Sequence, residues 1–216
     1  MDYRKIYTEN YFSGKNSFFY KMTGGYRDVK RYFDNLAGAY APHFEGGELL
    51  DVGCAYGYLL ERFTGKASLY GFDVSEHAIE QARTLVPDAL YATGSVTDGL
   101  PYGDESFNGV MMTDVIEHLT RDDQEQAVRE LVRVLRPGGT LYLTTPNLNL
   151  VRRVIYGIPD RMEHHVGMMS LGELQAFLES FGLETRDAWS YLHGLIPVRL
   201  PPWLGPEAAV VAVKTG

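Results

Sequence analysis

Cysteine is nearly absent: Cys54 is the one thiol in 216 residues, so no internal disulfide can form. Long apolar runs are missing too. No window approaches the ~20 consecutive apolar residues of a membrane-spanning helix. The chain does not open on a basic stretch followed by an apolar one. These absences lead us to expect a soluble protein of a reducing cytoplasm, with no membrane partner. Positive charge is also scarce. Lys and Arg number 20 against 28 Asp and Glu, a net charge of −8. That balance disfavours a nucleic-acid partner, which needs a broad basic footprint. A small-molecule substrate or a protein partner fits better. Internal repeats and low-complexity tracts are lacking.

Hydrophobic residues make up 45% of the chain, enough for one well-buried core. The first 45 residues differ from the rest. The stretch "IYTENYFSGKNSFFYKMTGGYRDVKRYFDNLAGAY" is rich in Tyr and Phe and is broken by Gly14, Gly24 and Gly25. From Tyr26 to Ala39, the apolar positions Val29, Tyr32, Phe33, Leu36 and Ala37 recur at helical spacing. Residues 1–45 therefore read as an aromatic-rich helical cap, which either contacts a ligand or only packs. Gly24 and Gly25 offer a hinge for closure.

From residue 46 onward, strands and helices alternate. "ELLDVG", "SLYGFDV", "ALYATGSV", "SFNGVMMTDVI" and "TLYLTTP" read as strands, and "LETRDAWSYL" and "EAAVVAVKT" as two more. Between them lie helical patterns. "GYLLERFTG" closes at Gly65, "SEHAIEQARTLV" has Ser75 as N-cap, and "TRDDQEQAVRELVRVL" opens on a Thr120–Asp123 capping box and is stopped by "RPGG". "LGELQAFLESFG" begins after Ser170. Such alternation predicts an α/β fold, a doubly wound, mostly parallel sheet with helices on both faces. Asn147 to Gly167 is a long irregular stretch, of the kind that is usually functional or partly helical. "GLIPVRLPPWLGP", Gly194 to Pro206, reads as a rigid connector, a pocket lining or a subunit contact.

In open parallel sheets, ligands sit beyond the carboxyl ends of the strands. The sequence places small and acidic residues at those ends: Asp51, Gly53, Ala55 and Gly57 after the first strand, Asp73 after the second, Gly94, Ser95 and Val96 after the third, and Thr113 and Asp114 after the fourth. Glycines let backbone approach a ligand. Asp73 can accept both hydroxyls of a ribose. Carboxylates flank the turn and no Lys or Arg lies within it, so a diphosphate is disfavoured and a ligand carrying ammonium and sulfonium charge is favoured. Neither G-x-G-x-x-G nor the Walker spacing occurs here.

"LLDVGCAYGYLL", "LYGFDVSEHAIEQAR", "GLPYGDESFNGVMMTDVIEHL" and "LRPGGTLYLTTPN" together resemble the successive motifs of class I S-adenosylmethionine-dependent methyltransferases. The resemblance covers roughly residues 46–185. It implies a Rossmann-like seven-stranded sheet with the last strand antiparallel, and S-adenosyl-L-methionine as methyl donor. Residues 46–216 would be the donor-binding domain. Asp51, the Gly53–Gly57 turn with Cys54 and Ala55, Asp73 with Val74, Ser95 with Val96, and Thr113 with Asp114 would bind the donor. The cap would add Tyr20, Tyr26 and Arg27. Two positions depart from the family's usual pattern: Ala55 where glycine is common, and Ser95 where aspartate is common.

The expected reaction is methyl transfer to O or N of a small molecule such as a sugar or secondary metabolite, by a monomer or homodimer. Candidate bases are His118, His164 and His165. Each has a plain alternative, local packing for His118 and a solvated loop for the other two. His43, His77 and His193 read as structural or exposed. No metal site is expected, because "EHH" does not join a second ligand cluster at a recognisable spacing. Cys54 reads as a small filler. Rival functions are a non-catalytic donor-binding module, a modifier of macromolecules and a nicotinamide oxidoreductase. Against the last two stand the acidic charge, the loop spacing and the sequence "TDVIEH" where amide and base N-methylators carry an Asn-Pro-Pro-Tyr-type tetrapeptide.

Overall fold

The computed structural model describes residues 2–192 and 196–216. His193 and the first two residues of the Gly194–Pro206 stretch therefore lie outside the described residues. The chain opens with three short helices, α1 (Tyr3–Ile6), α2 (Glu9–Phe12) and α3 (Phe18–Thr23), and a longer α4 (Lys30–Tyr40). Strand β1 (Glu48–Val52) follows, then α5 (Tyr58–Glu61), β2 (Ser68–Asp73), α6 (Glu76–Leu85), β3 (Leu90–Thr93) and β4 (Phe107–Thr113). The second half holds α7 (Arg121–Val134), β5 (Leu135–Pro146), α8 (Leu150–Ile155), α9 (Gly157–Met162), α10 (Leu171–Glu179), β6 (Leu183–Leu192), β7 (Ile196–Leu200) and β8 (Glu207–Lys214).

The strands form one sheet in the order β3-β2-β1-β4-β5-β8-β6-β7. Pairings from β3 to β5 are parallel, and β8 runs antiparallel to both β5 and β6. The chain reverses direction of travel across the sheet between β3 and β4, so the β1/β4 boundary is the switch point where a crevice opens.

Successive side chains of a buried strand point to opposite faces, and each face here carries its own helices. Leu50, Val110, Met112, Leu141 and Val210 pack with Val128 and Leu131 of α7 and Leu174 and Phe177 of α10. Leu49, Met111, Tyr142 and Val211 pack with Phe33, Leu36 and Tyr40 of α4 and Ile79 of α6. Helix α4 thus belongs to a covering layer: Tyr40 stacks on Tyr142 with ring centroids 5.2 Å apart. Helix starts follow the expected caps. Ser75 Oγ accepts from Ala78 N, Thr120 Oγ1 accepts from Asp123 N, and Ser170 with Glu173 completes a capping box.

The expectation of seven strands is corrected to eight. Part of the Pro-rich stretch read as a connector is an edge strand, β7, paired antiparallel to β6 through Ser190↔Leu200 and Tyr191↔Arg199. Its register is held by side chains that sequence spacing does not announce. Ser190 Oγ donates to the Leu200 and Pro201 carbonyls, and Arg199 forms a two-pronged ion pair with Asp187 while lying 4.2 Å over the Trp189 ring. Two boundaries also move. The helix expected through Gly65 is only α5, and "RPGG" lies inside β5, where the register shifts between Phe107 and Gly109. Residues 147–167, expected to be irregular, carry α8 and α9.

Candidate active site

The carboxyl ends of β1, β2, β3 and β4 surround a cavity of about 620 Å³. Its floor begins with the turn after β1. Gly53 N and Cys54 N both donate to the Phe72 carbonyl, at 2.7 and 3.2 Å, which pins the turn to β2. Gly53 has φ +82°, and a Cβ there would come 2.3 Å from Val115 Cγ2. Only glycine fits that combination. Ala55 sits at φ +46°, in the left-handed region where a Cβ costs roughly 1–2 kcal/mol. That strain marks it as a substituent in a glycine position. Gly57 has φ +80° and backs against Ala82, so it shapes the turn without lining the cavity.

The acids of the floor differ in how they are held. Asp73 is buried, and its two oxygens accept from Ala55 N at 2.9 Å and Ser75 N at 2.8 Å. Burial raises its pKa while the amides of Ser75, Ala55 and Val74 pull the other way. Asp51 is 1% exposed, and its Oδ1 has no hydrogen-bond partner among the described residues. Burial first, and Asp73 second, push its carboxyl up to about 8. Asp114 has φ +54°, accepts from Thr144 Oγ1 at 3.0 Å and takes a short hydrogen bond from the Tyr32 hydroxyl. Ser95 is buried and shares a 2.7 Å hydrogen bond with Thr97 Oγ1. Burial raises the Cys54 thiol well above its usual range, in keeping with a filler and not a nucleophile.

The roof comes from the N-terminal helices. Tyr7, Tyr11, Phe12, Tyr20 and Tyr26 line the cavity and meet edge to face, with centroids 4.9 Å apart for Tyr7–Tyr11, 5.3 Å for Tyr11–Tyr20 and 5.2 Å for Tyr20–Tyr26. Arg27 stands exposed at its rim. The roof is tied down by polar anchors: Tyr3 Oη donates to Asp123 at 2.6 Å, and Ser17 Oγ donates to the buried Glu163 at 3.0 Å.

The third wall joins distant parts of the chain. Val166 N and Gly167 N donate to the Glu117 carbonyl at 2.9 and 2.8 Å, and Gln124 Nε2 bridges the Ile116 and Gly167 carbonyls. This brings His165 beside His118, ring centroids 4.8 Å apart. Burial first, then His165, depress the His118 imidazole to about 3, so it is neutral. Glu117 is buried, accepts from Thr145 Oγ1 at 3.0 Å, and burial raises its carboxyl well above the usual range. Behind His165 stands Asp160, 3.0 Å from Nδ1 and gripped by Arg152 at 2.6 and 3.1 Å; Arg152 also binds Glu207 at 2.7 Å.

The residues named from sequence thus largely converge. Asp51, Gly53, Cys54, Ala55, Asp73, Val74, Ser95, Val96, Thr113, Asp114, Tyr20, Tyr26 and Arg27 line the cavity, as do His118 and His165. His164 is exposed at φ +61° and is not part of the lining. His43 lies 3.6 Å from Asp187, and His77 bonds Tyr56 at 3.0 Å, both away from the cavity. Sequence reasoning did not single out Tyr7, Tyr11, Glu163 or Arg152, and read Tyr32 only as an apolar position of a helix. For Glu163 and Arg152, a charged residue inside an otherwise ambiguous stretch was the available signal.

A small-residue turn and acids at successive strand ends thus line a cavity at the switch point of a Rossmann-like sheet. Residues 50–143 match the family model described as "Methyltransferase domain". The chain is 32% identical over 176 residues to the 27-O-demethylrifamycin SV methyltransferase of Amycolatopsis mediterranei, a match covering 73% of this chain and 61% of that protein. It is 28% identical over 160 residues to the ubiquinone biosynthesis O-methyltransferase of a Chelativorans species, covering 68% and 62%. The match therefore spans under two thirds of the length of either curated relative. An S-adenosylmethionine-dependent methyltransferase from Clostridium acetobutylicum shares the fold, with TM-score 0.70 at 12% identity over 88% of this chain and 93% of that one. By these matches the chain is similar to S-adenosylmethionine-dependent methyltransferases, whose methyl donor is S-adenosyl-L-methionine.

Proposed function

We propose that the protein transfers a methyl group from S-adenosyl-L-methionine to an oxygen or nitrogen of a small molecule. The observation that carries this reading is Asp51: a buried carboxylate oxygen with no partner, at the edge of a glycine turn and beside a second acid. An unpaired buried acceptor is costly. A ligand ammonium would satisfy it; a diphosphate would be repelled. Asp73, capped by the Ala55 and Ser75 amides, holds its carboxylate toward the ribose side, Ser95 and Val96 edge the base, and Thr113 and Asp114 flank the methionine end. When bound, the donor supplies a methyl group on a sulfonium leaving group. The protein's part is alignment and exclusion of water.

The roof supports a small acceptor. A 620 Å³ cavity has the volume of a small-molecule site, and Tyr7, Tyr11, Tyr20 and Tyr26 of the N-terminal segment line it. The names of the two relatives point the same way, to a rifamycin and to a ubiquinone precursor step. Residues 1–45 serve as the cap, and Tyr20, Tyr26 and Arg27 meet donor or acceptor there. His118 and His165 face the acceptor space as candidate proton acceptors; His164 faces away. Among the described residues, no helix is long and apolar enough to cross a membrane.

Calorimetric titration with S-adenosylmethionine, S-adenosylhomocysteine and NADH tests the cradle. Micromolar binding of the first two and none of the third is expected; the reverse would overturn the reading. A metabolite screen with labelled methyl donor then tests turnover, and failure of every acceptor would favour a binding module.

A further inference from the structure

The wall formed by Glu117, His118 and His165 carries more than proton transfer. One donor atom from each of the three lies within 4.8 Å of the other two. Ligands about 2.1 Å from a zinc-like cation sit roughly 3–4 Å from one another, so shifts of about 1 Å would close the set. All three residues line the cavity. We propose that they form a divalent-metal site, taking a first-row transition cation with positions left open toward the acceptor.

Three further observations point to a ligand. His118 is only 9% exposed; the main chain of Glu163 and His164 engages its ring, and its Nδ1 has no hydrogen-bond partner of good geometry among the described residues. Buried side-chain nitrogens are seldom left so, and a metal ion would use the lone pair. His165 has one ring nitrogen on a carboxylate, as metal-binding histidines commonly do. Here Nδ1 engages Asp160, which the buried Arg152 fixes in turn. Glu117 is buried, and its Oε2 is held by Thr145 Oγ1.

The scaffold is also rigid. Gly167 could not be another residue: a Cβ there would sit 2.2 Å from the Leu119 carbonyl oxygen. The hydrogen bonds from residues 166–167 to Glu117 lock the His165 loop onto the His118 turn whether or not an ion is bound. Two imidazoles and one carboxylate suit zinc, iron, cobalt or manganese over magnesium or calcium.

This inference rests on the methyl-transfer reading and narrows it to acceptors with a hydroxyl, preferably beside a second oxygen. Such a pair can fill two open positions. Held by Glu117, His118 and His165, a cation would draw charge from the hydroxyl so that its proton could leave to water, and the O–CH3 bond would form as the donor's C–S bond breaks, without a strongly basic side chain.

The test uses the full chain, stripped with chelator and titrated with cobalt(II). One equivalent should bind with a visible absorption band. In His118→Ala and His165→Gln the band should vanish, and in Glu117→Gln cobalt affinity should fall at least tenfold. S-adenosylhomocysteine affinity, measured in parallel, should stay within about threefold in all three and so report a folded cradle. Should a variant lose that affinity, Glu117→Gln, which keeps a partner for Thr145, decides the matter. Absence of stoichiometric cobalt, or equal binding by folded variants, would overturn the metal site while leaving the methyltransferase reading intact. Loss of S-adenosylhomocysteine binding by the unaltered chain would instead overturn that reading.

Discussion

The floor and the roof of the cavity are built by different means. The floor is backbone: the turn after β1, with Gly53 and Ala55 at positive φ, and amides that cap Asp73. The roof is side chains: Tyr7, Tyr11, Tyr20 and Tyr26 meeting edge to face, on and between helices of four to six residues. Helices so short have little stability of their own, so the roof stays in place through ring packing and a few polar anchors. A backbone floor tolerates almost no change in shape. A roof of rings can open and adapt to different acceptors. On the proposed reading, the donor side is the rigid half of the cavity and the acceptor side the adaptable one.

The largest effect expected is on the floor. Gly53→Val adds a side chain where even a Cβ would lie 2.3 Å from Val115 Cγ2, at a φ that β-branched residues avoid. Affinity for S-adenosylhomocysteine should fall at least 100-fold by calorimetry, and stability by about 3 kcal/mol in urea. A variant that bound normally would show that the floor is not the rigid half.

The same contrast explains what the sequence made legible. Floor residues announce themselves because each strand end is a short apolar run followed by Gly, Ser or Asp, and local geometry alone requires those types. Asp51, Gly53, Asp73 and Asp114 were readable for that reason. The union of His118 with His165 was not, since it depends on hydrogen bonds between residues 43 to 50 positions apart, among them Gly167 N to the Glu117 carbonyl. Nor was β7, whose pairing is set by Ser190 and Arg199 reaching across strands and not by periodicity. Roof residues were legible as a composition and illegible as contacts, because edge-to-face packing has no sequence period.

Asp51 tests the electrostatics of the floor. Its folded-state carboxyl lies near 8 against an ordinary value of 3.8. The folded protein therefore keeps a proton that the unfolded chain releases near pH 4. The stability this group lends below pH 4 is lost steadily as pH rises to about 8, at up to ~1.4 kcal/mol per unit. Asp51→Asn removes the titration, so melting temperature between pH 5 and 8 should fall less steeply than in the unaltered chain. Donor binding should respond in the opposite sense. A cationic ligand favours the ionised form, so affinity for S-adenosylmethionine should rise with pH from 5.5 to 7.5, several-fold per unit. In Asp51→Asn that affinity should be about tenfold lower at pH 7.5 and nearly independent of pH. Parallel profiles for the two proteins would remove Asp51 from the donor site.

A smaller effect is expected from the roof's anchor. Ser17→Ala removes the hydroxyl that donates to buried Glu163 at 3.0 Å. A buried carboxylate that loses a donor costs about 1–2 kcal/mol. The loss should be local: faster amide hydrogen exchange across residues 9–23, with exchange in β1, β4 and β5 unchanged. Uniform acceleration would mean that roof and floor unfold together and that the division drawn between them is only geometric.

The smallest effect decides whether the roof touches a ligand. Tyr26 meets Tyr20, Phe12 and Tyr58 with ring centroids 5.2, 5.6 and 5.4 Å away. Tyr26→Phe keeps every one of these contacts and removes only the hydroxyl. If the ring only packs, stability should change by less than about 0.5 kcal/mol, and KM for donor and acceptor should both hold. If the hydroxyl reaches a bound molecule, KM for that molecule alone should rise about two- to threefold with stability unchanged. Tyr26→Ala cannot make this distinction, because it empties the ring's place and loosens the roof for both reasons at once. The conservative change is therefore the sharper one: a KM shift confined to one substrate makes the roof part of the site, and no shift leaves it a cover.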